Sequence, residues 1–209
     1  MPLYVPIPIA VEGDLDQEVI LRLFRYVGLL PGDVYGKSGK SHLKQRISGY
    51  NNSARYRPWV VLVDLETDNE CAPQLLTHWL VAPARYMHFR VVVQSIESWL
   101  LADREHMSAF LGISINYLPI LPDLIENPKR YLVDLARRSR RKEISFGLVP
   151  RAGSGRRVGP EYNSLLSRFV NDQENGWRPN VGLAYSDSLA RCVRKLQELS
   201  IMEFPIVSA

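Results

Sequence analysis

Three short apolar runs, each followed by an acidic residue and a helical pattern, constrain the fold of this chain more than any other feature. The runs cover residues 7–11, 59–63 and 89–93, and the acids that follow them are Glu12, Asp64 and Glu97. Apolar runs that do not alternate with polar residues are typical of strands buried on both faces of a parallel sheet. Strands that alternate with helical patterns predict an α/β fold, with a mostly parallel sheet flanked by helices.

The rest of the chain favours helices over strands. Apolar residues recur at helical spacing after residue 14, and the same spacing predicts helices over residues 99–111, 128–138, 161–170 and 187–199. Residues 140–160 are rich in Arg and Gly, which predicts a basic loop. We therefore expect an α/β core over residues 1–126. A basic, mainly helical extension over residues 127–209 is expected to pack on it within one structural unit.

Charge is unevenly distributed along the chain. The whole chain has 26 Lys and Arg residues against 22 Asp and Glu residues, a formal net charge of +4. Residues 129–157 hold ten basic and two acidic residues, a local charge of +8, whereas acids cluster at residues 12–18 and 64–70. Because carboxylates bind cations and basic side chains bind phosphates, this distribution indicates a metal-assisted enzyme acting on a polyanion. The alternative interpretation is a set of solvated surfaces and helix starts.

The acids that follow the apolar runs are candidate metal ligands. In open α/β sheets ligands bind outside the carboxyl ends of the strands, so we expect Glu12, Asp64 and Glu97 to meet at one edge. Asp16 and Glu66 lie close to the first two in sequence and complete the expected ligand set. Carboxylate oxygens suit hard cations, which predicts Mg²⁺ or Mn²⁺ as the cofactor. The alternative role of Asp16 is to stabilise the positively charged N-terminus of a helix without any metal.

A glycine- and lysine-rich string, Gly-Lys-Ser-Gly-Lys-Ser at residues 36–41, is a candidate phosphate-binding loop. It is not a Walker A motif, because that motif requires a glycine at position 34 or 31, where this chain has Val34 and Pro31. A loop rich in backbone N–H groups that carries Lys37 and Lys40 still predicts contacts with phosphate. An ordinary surface loop is the alternative.

Several other classes of protein are disfavoured. The four histidines and two cysteines do not show zinc-ligand spacing. No apolar run approaches the roughly 20 residues that span a bilayer, and the first residues lack the basic start of a secretory signal, so we expect a cytoplasmic protein without a membrane partner. Three tryptophans lie in apolar segments and are expected in the core. Trp177 lies in a polar segment, so for it both a core position and a role in stacking on a base remain open.

Several strings in the chain resemble the TOPRIM domain that topoisomerases, primases and the OLD-family nucleases share. One is Val-Glu-Gly at residues 11–13, and another is the acid-x-acid pair of Asp64 and Glu66. Ser-Ile-Glu-Ser-Trp-Leu-Leu-Ala-Asp at residues 95–103, Asn-Pro-Lys at 127–129 and Gly-x-x-Tyr at 159–162 are similar to strings in a bacterial branch of TOPRIM-like proteins related to the OLD nucleases. The resemblance covers most of the chain. It implies a TOPRIM/Rossmann-like sheet with a helical C-terminal extension.

The resemblance also implies a function, divalent-metal-dependent cleavage of DNA or RNA. Glu12 matches the TOPRIM glutamate, and Asp64 and Glu66 match the D-x-D pair, although Glu66 stands where the family usually has Asp. Asp16 and Glu97 resemble further acids of the OLD-type pattern. The expected catalytic residues are Glu12, Asp64 and Lys129. The expected nucleic-acid contacts are Lys37, Lys40, Arg137, Arg138, Arg140, Arg141, Arg151, Arg156 and Arg157.

Two other functions remain open at the level of sequence. The first is a catalytically silent TOPRIM-like module that binds nucleic acid or a protein. For the nuclease itself the resemblance implies a separate ATPase subunit as a partner, because OLD-type nucleases work with an ATPase domain and this chain has no Walker A motif. A small α/β protein that binds nucleotides or transfers phosphate is the second, because the crevice at the strand ends would serve it equally well.

Overall fold

The computed structural model describes residues 5–65 and 71–202. The strands in this part of the chain are β1 (Ile7–Val11), β2 (Pro31–Gly36), β3 (Trp59–Asp64) and β4 (Met87–Val92). The helices are α1 (Asp14–Val27), α2 (Lys40–Ser53), α3 (Ala72–Trp79), α4 (Ile96–Ala102), α5 (Arg104–Leu111), α6 (Pro128–Ala136), α7 (Lys142–Leu148), α8 (Tyr162–Asn171), α9 (Pro179–Gly182) and α10 (Asp187–Ser200).

The four strands form one parallel sheet in the order β2-β1-β3-β4, which confirms the predicted α/β fold. The chain passes from β1 through α1 to β2 on one side of β1, and then from β2 through α2 to β3 on the other side of β1. Right-handed crossovers therefore place α1 and α2 on opposite faces of the sheet. The crevice at this change of direction lies at the carboxyl ends of β1 and β3.

The two central strands are buried along their whole length, as their apolar runs predicted. Alternate residues of a strand point to opposite faces of the sheet. On one face Ala10, Val61 and Val63 pack with Leu43 and Ile47 of α2. Full burial of a Val, Leu or Ile side chain stabilises the fold by about 1.5–3 kcal/mol, so these contacts help to hold α2 against the sheet.

Strand β2 was not expected from the sequence. Its residues, PGDVYG, include one proline and two glycines, which are poor strand formers. The strand forms because it pairs with β1, placing Tyr35 beside Ala10 and Gly36 beside Val11. Gly36 has a φ of 91°, and a Cβ there would lie less than 3.0 Å from the carbonyl oxygen of Val11. The glycine that weakens the strand pattern is therefore the residue that permits the close pairing.

The chain divides into two compact units. The first unit holds the sheet, helices α1–α3 and residues 191–202, and the second holds residues 93–190. The second unit is helical, with short 3₁₀ segments at Ile115–Tyr117 and Pro122–Leu124 in addition to its α-helices. This confirms the expected helical C-terminal part. The boundary expected at residues 126 and 127 rested on composition and charge, and it stays a prediction.

The core of the second unit contains two tryptophans whose indole N–H groups both donate hydrogen bonds inside the core. The indole N–H of Trp99 donates to Oγ of Ser188 at 3.1 Å, and that of Trp177 donates to the carbonyl oxygen of Trp99 at 3.0 Å. Trp177 is fully buried. The idea that it stacks on a base is therefore wrong, because a polar sequence around it does not prevent its ring from filling the core.

The helix expected over residues 99–111 is interrupted at Asp103. This fully buried carboxylate caps α5 by accepting from the backbone N–H of His106 at 3.3 Å. It also accepts from Nε and Nη2 of Arg178, at 3.0 and 2.8 Å, and from the backbone N–H of that arginine at 2.9 Å. The hydrogen bonds to Asp103 raise the pKa of Arg178 above its usual range.

Within the described residues, no individual helix has the length and hydropathy needed to cross a bilayer. One pair of segments, Arg104–Leu111 and Ile115–Leu124, passes that test together by length and composition alone, with a bend of 113° between them.

Candidate functional site

Two of the predicted acids meet at the carboxyl ends of β1 and β3. Glu12 follows β1, and its Oε1 accepts a hydrogen bond from the backbone N–H of Asp64 at 2.8 Å. Asp64 is the last residue of β3 and is buried, whereas Glu12 is half-buried. The Glu12 side chain thus continues the hydrogen bonding between the strands beyond the last backbone pair. This bond orients one carboxylate directly beside the other acid's backbone.

The lysine-rich loop after β2 reaches the same edge of the sheet. Its backbone is fixed by two hydrogen bonds, from Lys37 N–H to the carbonyl oxygen of Val11 at 2.9 Å and from Gly39 N–H to that of Glu12 at 3.0 Å. At the start of α2, the ammonium of Lys40 donates to the carbonyl oxygen of Leu65 at 3.0 Å. A lysine, a glutamate and an aspartate therefore lie at adjacent strand ends, the place where ligands bind in open α/β sheets.

The loop carries backbone strain at Lys37. This residue has a φ of 63°, in the left-handed region that non-glycine residues seldom adopt. Strain of this kind costs on the order of 1–3 kcal/mol and persists only when neighbouring contacts enforce it, as the hydrogen bond to β1 does here. Its exposed ammonium lies 3.7 Å from the carboxylate of Asp14, in the first turn of α1.

The donor set at this edge fits Mg²⁺ or Mn²⁺. Mg²⁺ keeps several waters and is held by one or two carboxylates together with substrate phosphates, so the carboxylates of Glu12 and Asp64 are the groups that would hold it, and the metal stays a prediction. Over residues 5–65 and 71–202, no group of three or more His, Cys, Asp or Glu side chains gathers into a metal cage. Glu66, the expected second acid of the pair, lies outside the described residues.

Asp16 lies in the first turn of α1, close to the edge formed by Glu12. It is buried, and a Cβ added to Gly13 would lie 3.1 Å from its Oδ2. A glycine at position 13 therefore leaves room for this carboxylate beside the end of β1. The position suits both predicted roles, a metal ligand and a charge at the helix N-terminus, and both stay predictions.

The predicted acid Glu97 lies in α4, in the second unit, and only 1% of it is exposed. Its Oε2 accepts from the hydroxyl of Ser95 at 2.7 Å, and its Oε1 accepts from the hydroxyl of Tyr162 at 2.9 Å. The ammonium of Lys129 lies 3.8 Å from Oε1 and is partly exposed. A buried carboxylate is expensive unless it is hydrogen-bonded and paired, and Glu97 is both.

This cluster brings together three of the five strings on which the sequence resemblance rests. Ser95 and Glu97 come from the first, Lys129 from the second and Tyr162 from the third. The sequence predicted roles for Glu97 and Lys129 but assigned none to Ser95 or Tyr162. The late Gly-x-x-Tyr string was the signal that pointed to the tyrosine, and only the fold shows which acid it meets.

The predicted nucleic-acid contacts of the second unit lie at its surface. Arg137 is 3.4 Å from the carboxylate of Asp134, and the guanidinium of Arg138 lies 4.9 Å from the ring centre of Tyr117. Nη1 of Arg141 donates to the carbonyl oxygen of Phe110 at 3.3 Å. The remaining predicted residues are exposed in the same unit: Arg140, Arg151, Arg156 and Arg157.

Comparisons with known proteins do not add a family to this description. No protein-family model matches the chain, and neither a curated protein nor a solved structure matches it. The resemblance to TOPRIM domains and OLD nucleases therefore stays a prediction.

Proposed function

We propose that the chain is a divalent-metal-dependent nuclease, related to the TOPRIM and OLD enzymes, that cleaves phosphodiester bonds of DNA or RNA in the cytoplasm. The carrying observation is the hydrogen bond between the Glu12 carboxylate and the backbone of Asp64, at the carboxyl ends of β1 and β3. Lys40 lies at the same edge through its bond to Leu65. Paired acids with an adjacent lysine suit chemistry on a phosphate.

In this proposal the residues of the first unit have separate roles. Glu12 and Asp64 would hold Mg²⁺ or Mn²⁺, and the metal would stabilise the negative charge that builds up on the phosphate oxygens. Glu12, oriented through its Oε1, takes the proton from the attacking water. Lys37 and Lys40 bind phosphate oxygens next to the cleaved bond.

Other predicted residues extend the proposal without being needed for its test. Asp16 and Glu66 complete the metal site next to Glu12 and Asp64. The resemblance also implies the role of a metal ligand for Glu97 and of a catalytic cation for Lys129, which lie together in the second unit. A separate ATPase subunit is the expected protein partner.

The test is cleavage by the full chain of labelled single-stranded DNA, duplex DNA and RNA, each with Mg²⁺, with Mn²⁺ and with a chelator. Asp64→Asn and Glu12→Gln remove one charge each at almost unchanged shape, and a glutamine at position 12 still accepts from the Asp64 N–H. We expect each to lower cleavage by about 100-fold or more. Asp33→Asn is the matched control, because it also removes one carboxylate charge but at an exposed residue of β2. This variant should cleave normally.

Two results would contradict the proposal. One is the absence of divalent-dependent cleavage of all three substrates, and the other is unchanged cleavage by a folded Asp64→Asn protein. The first result would favour a catalytically silent module.

A further inference from the structure

We infer that the second unit carries a binding surface for single-stranded polynucleotide, built from Phe146 on α7 and the arginine-rich loop that follows it. The inference rests on the proposed function and deepens it by naming the class of substrate. The arginine loop is defined as residues 149–158 and carries Arg151, Arg156 and Arg157. The ring of Phe146 is the base-stacking residue, a role that the sequence did not suggest.

The first observation is the exposure of Phe146. Its side chain is 72% exposed, although large aromatic side chains normally contribute their area to the core. Helix α7 buries Ile144 and Leu148 instead, so its apolar contacts to the unit are made without this ring. Lys142 precedes Phe146 by four residues, about one helical turn, so the two exposed residues lie on the same side of α7.

The second observation is that the arginine loop begins and ends beside Phe146. The backbone N–H of Gly159 donates to the carbonyl oxygen of Leu148 at 2.9 Å, and that of Glu161 donates to Gly147 at 3.0 Å. A Cβ on Gly159 would lie less than 3.0 Å from the carbonyl oxygen of Gly147, so a glycine is required there. Both ends of the loop are therefore held on the last turn of α7.

The third observation is the charge around the ring. The one acid of α7, Glu143, is bonded to the guanidinium of Arg168. The three arginines of the loop and Lys142 are exposed. Glu161, at the far end of the loop, adds one exposed acid beside α7. The four cations outnumber it, so the neighbourhood of Phe146 carries a net positive charge, and an aromatic ring in a cationic surface is the combination that binds single strands.

The chemistry of the ligand follows from these three observations. Guanidinium groups bind backbone phosphates, and the ring face accepts a base whose own face is free. In a duplex both faces of each internal base are covered by neighbouring bases, so the ring gains a partner only from an unpaired strand. The surface therefore selects single-stranded over duplex nucleic acid without reading sequence.

The experiment measures binding by the full chain in the presence of a chelator, so that cleavage is not required. A labelled single-stranded oligonucleotide and its duplex are titrated by fluorescence anisotropy, alongside vesicles of anionic lipid. Phe146→Leu keeps an apolar side chain but loses the ring, and Phe146→Tyr restores the ring. Leu124→Ala, at a residue of similar exposure (75%), is the matched control.

We expect Phe146→Leu to bind the single strand at least about fivefold more weakly, with duplex binding unchanged, because one base stack is lost. Phe146→Tyr and Leu124→Ala should bind like the wild type. Arg156→Ala should reduce the slope of log affinity against log salt by about 0.7, the value for one phosphate contact on a single strand.

Three results would overturn the inference: wild-type affinity in Phe146→Leu, duplex binding at least as tight as single-strand binding, and binding to lipid vesicles without binding to either oligonucleotide. The failure of the proposed nuclease is a different result. Single-strand binding that depends on Phe146, without divalent-dependent cleavage, would refute the nuclease and support this surface.

Discussion

Replacing Arg178 with methionine tests whether the buried carboxylate of Asp103 depends on its guanidinium partner. The wild-type carboxylate accepts four hydrogen bonds, two from the guanidinium and two from backbone N–H groups. Arg178→Met removes the two guanidinium bonds and the compensating charge, while methionine keeps most of the apolar side chain. The fully buried carboxylate is then left with backbone donors alone.

The cost can be worked from the geometry. Removing one partner of a buried ion pair costs about 3–5 kcal/mol. Because the Arg178 side chain is 29% exposed and two backbone donors remain, we expect the lower end of that range, about 3 kcal/mol. For a chain of this length that corresponds to a fall in the melting temperature of roughly 6–12 °C.

The assay is urea unfolding followed by tryptophan fluorescence, because Trp99 and Trp177 are buried in the same unit as this ion pair. Glu105→Gln is the matched control: this exposed carboxylate accepts from the same guanidinium at 2.8 Å, and its loss should cost less than about 1 kcal/mol. Equal losses in Arg178→Met and Glu105→Gln would refute the reasoning, since burial of the carboxylate would then make no difference.

Three further predictions concern stability. Gly36→Ala should lower the free energy of unfolding by at least about 2 kcal/mol, because alanine would have to adopt a left-handed φ with its Cβ against the carbonyl of Val11. Gly49→Ala, at an open position in α2, should raise the free energy of unfolding by about 0.5–1 kcal/mol, because alanine favours a helix over glycine. Burial lowers the pKa of His88 from 6.5 to about 4, so as the pH falls the unfolded chain binds this proton before the folded chain does. The free energy of unfolding should therefore be constant above about pH 6.5 with respect to this group and should decline between pH 6.5 and about pH 4. His88→Gln should reduce that decline. Tyr162→Phe removes a donor to the buried Glu97 carboxylate and should cost about 1–3 kcal/mol in urea unfolding.

Each of these has a contradicting result. Equal stability of Gly36→Ala and the wild type would show that the turn relaxes at no cost. An unchanged pH profile in His88→Gln would show that this histidine does not titrate differently in the folded state. Unchanged stability in Tyr162→Phe would show that the hydroxyl does not support Glu97.

The sequence predicted the central strands because their residues carry the information locally. The apolar runs that became β1 and β3 are buried throughout, and an uninterrupted apolar run has few other stable environments. Strand β2 could not be predicted in this way. Its pairing partner, β1, supplies the stabilising contacts, and a pattern centred on Gly36 does not reveal them.

The candidate site was predictable in part. A topological rule placed Glu12 and Asp64 at one edge of the sheet, and in the structure the Glu12 carboxylate accepts from the Asp64 backbone N–H there. Their roles as metal ligands stay predictions. The contacts of Glu97 were not predictable, because a run of residues does not show that a tyrosine far along the chain donates to it. Local sequence did not predict the exposure of two aromatic residues either. Trp177 lies in a polar segment but is buried, and nothing in the sequence around Phe146 predicts that its ring is exposed.

The sequence by itself determined the α/β class, the buried central strands and the pair of acids that follow them, because each depends on residues adjacent in the chain. Only the tertiary structure decided that a glycine-rich segment is a strand, that Glu97 is enclosed by Ser95 and Tyr162, and that an arginine loop closes beside Phe146. The reason is physical: hydrogen bonds between segments distant in sequence, and the burial that accompanies them, arise from packing, which no local pattern of residues specifies.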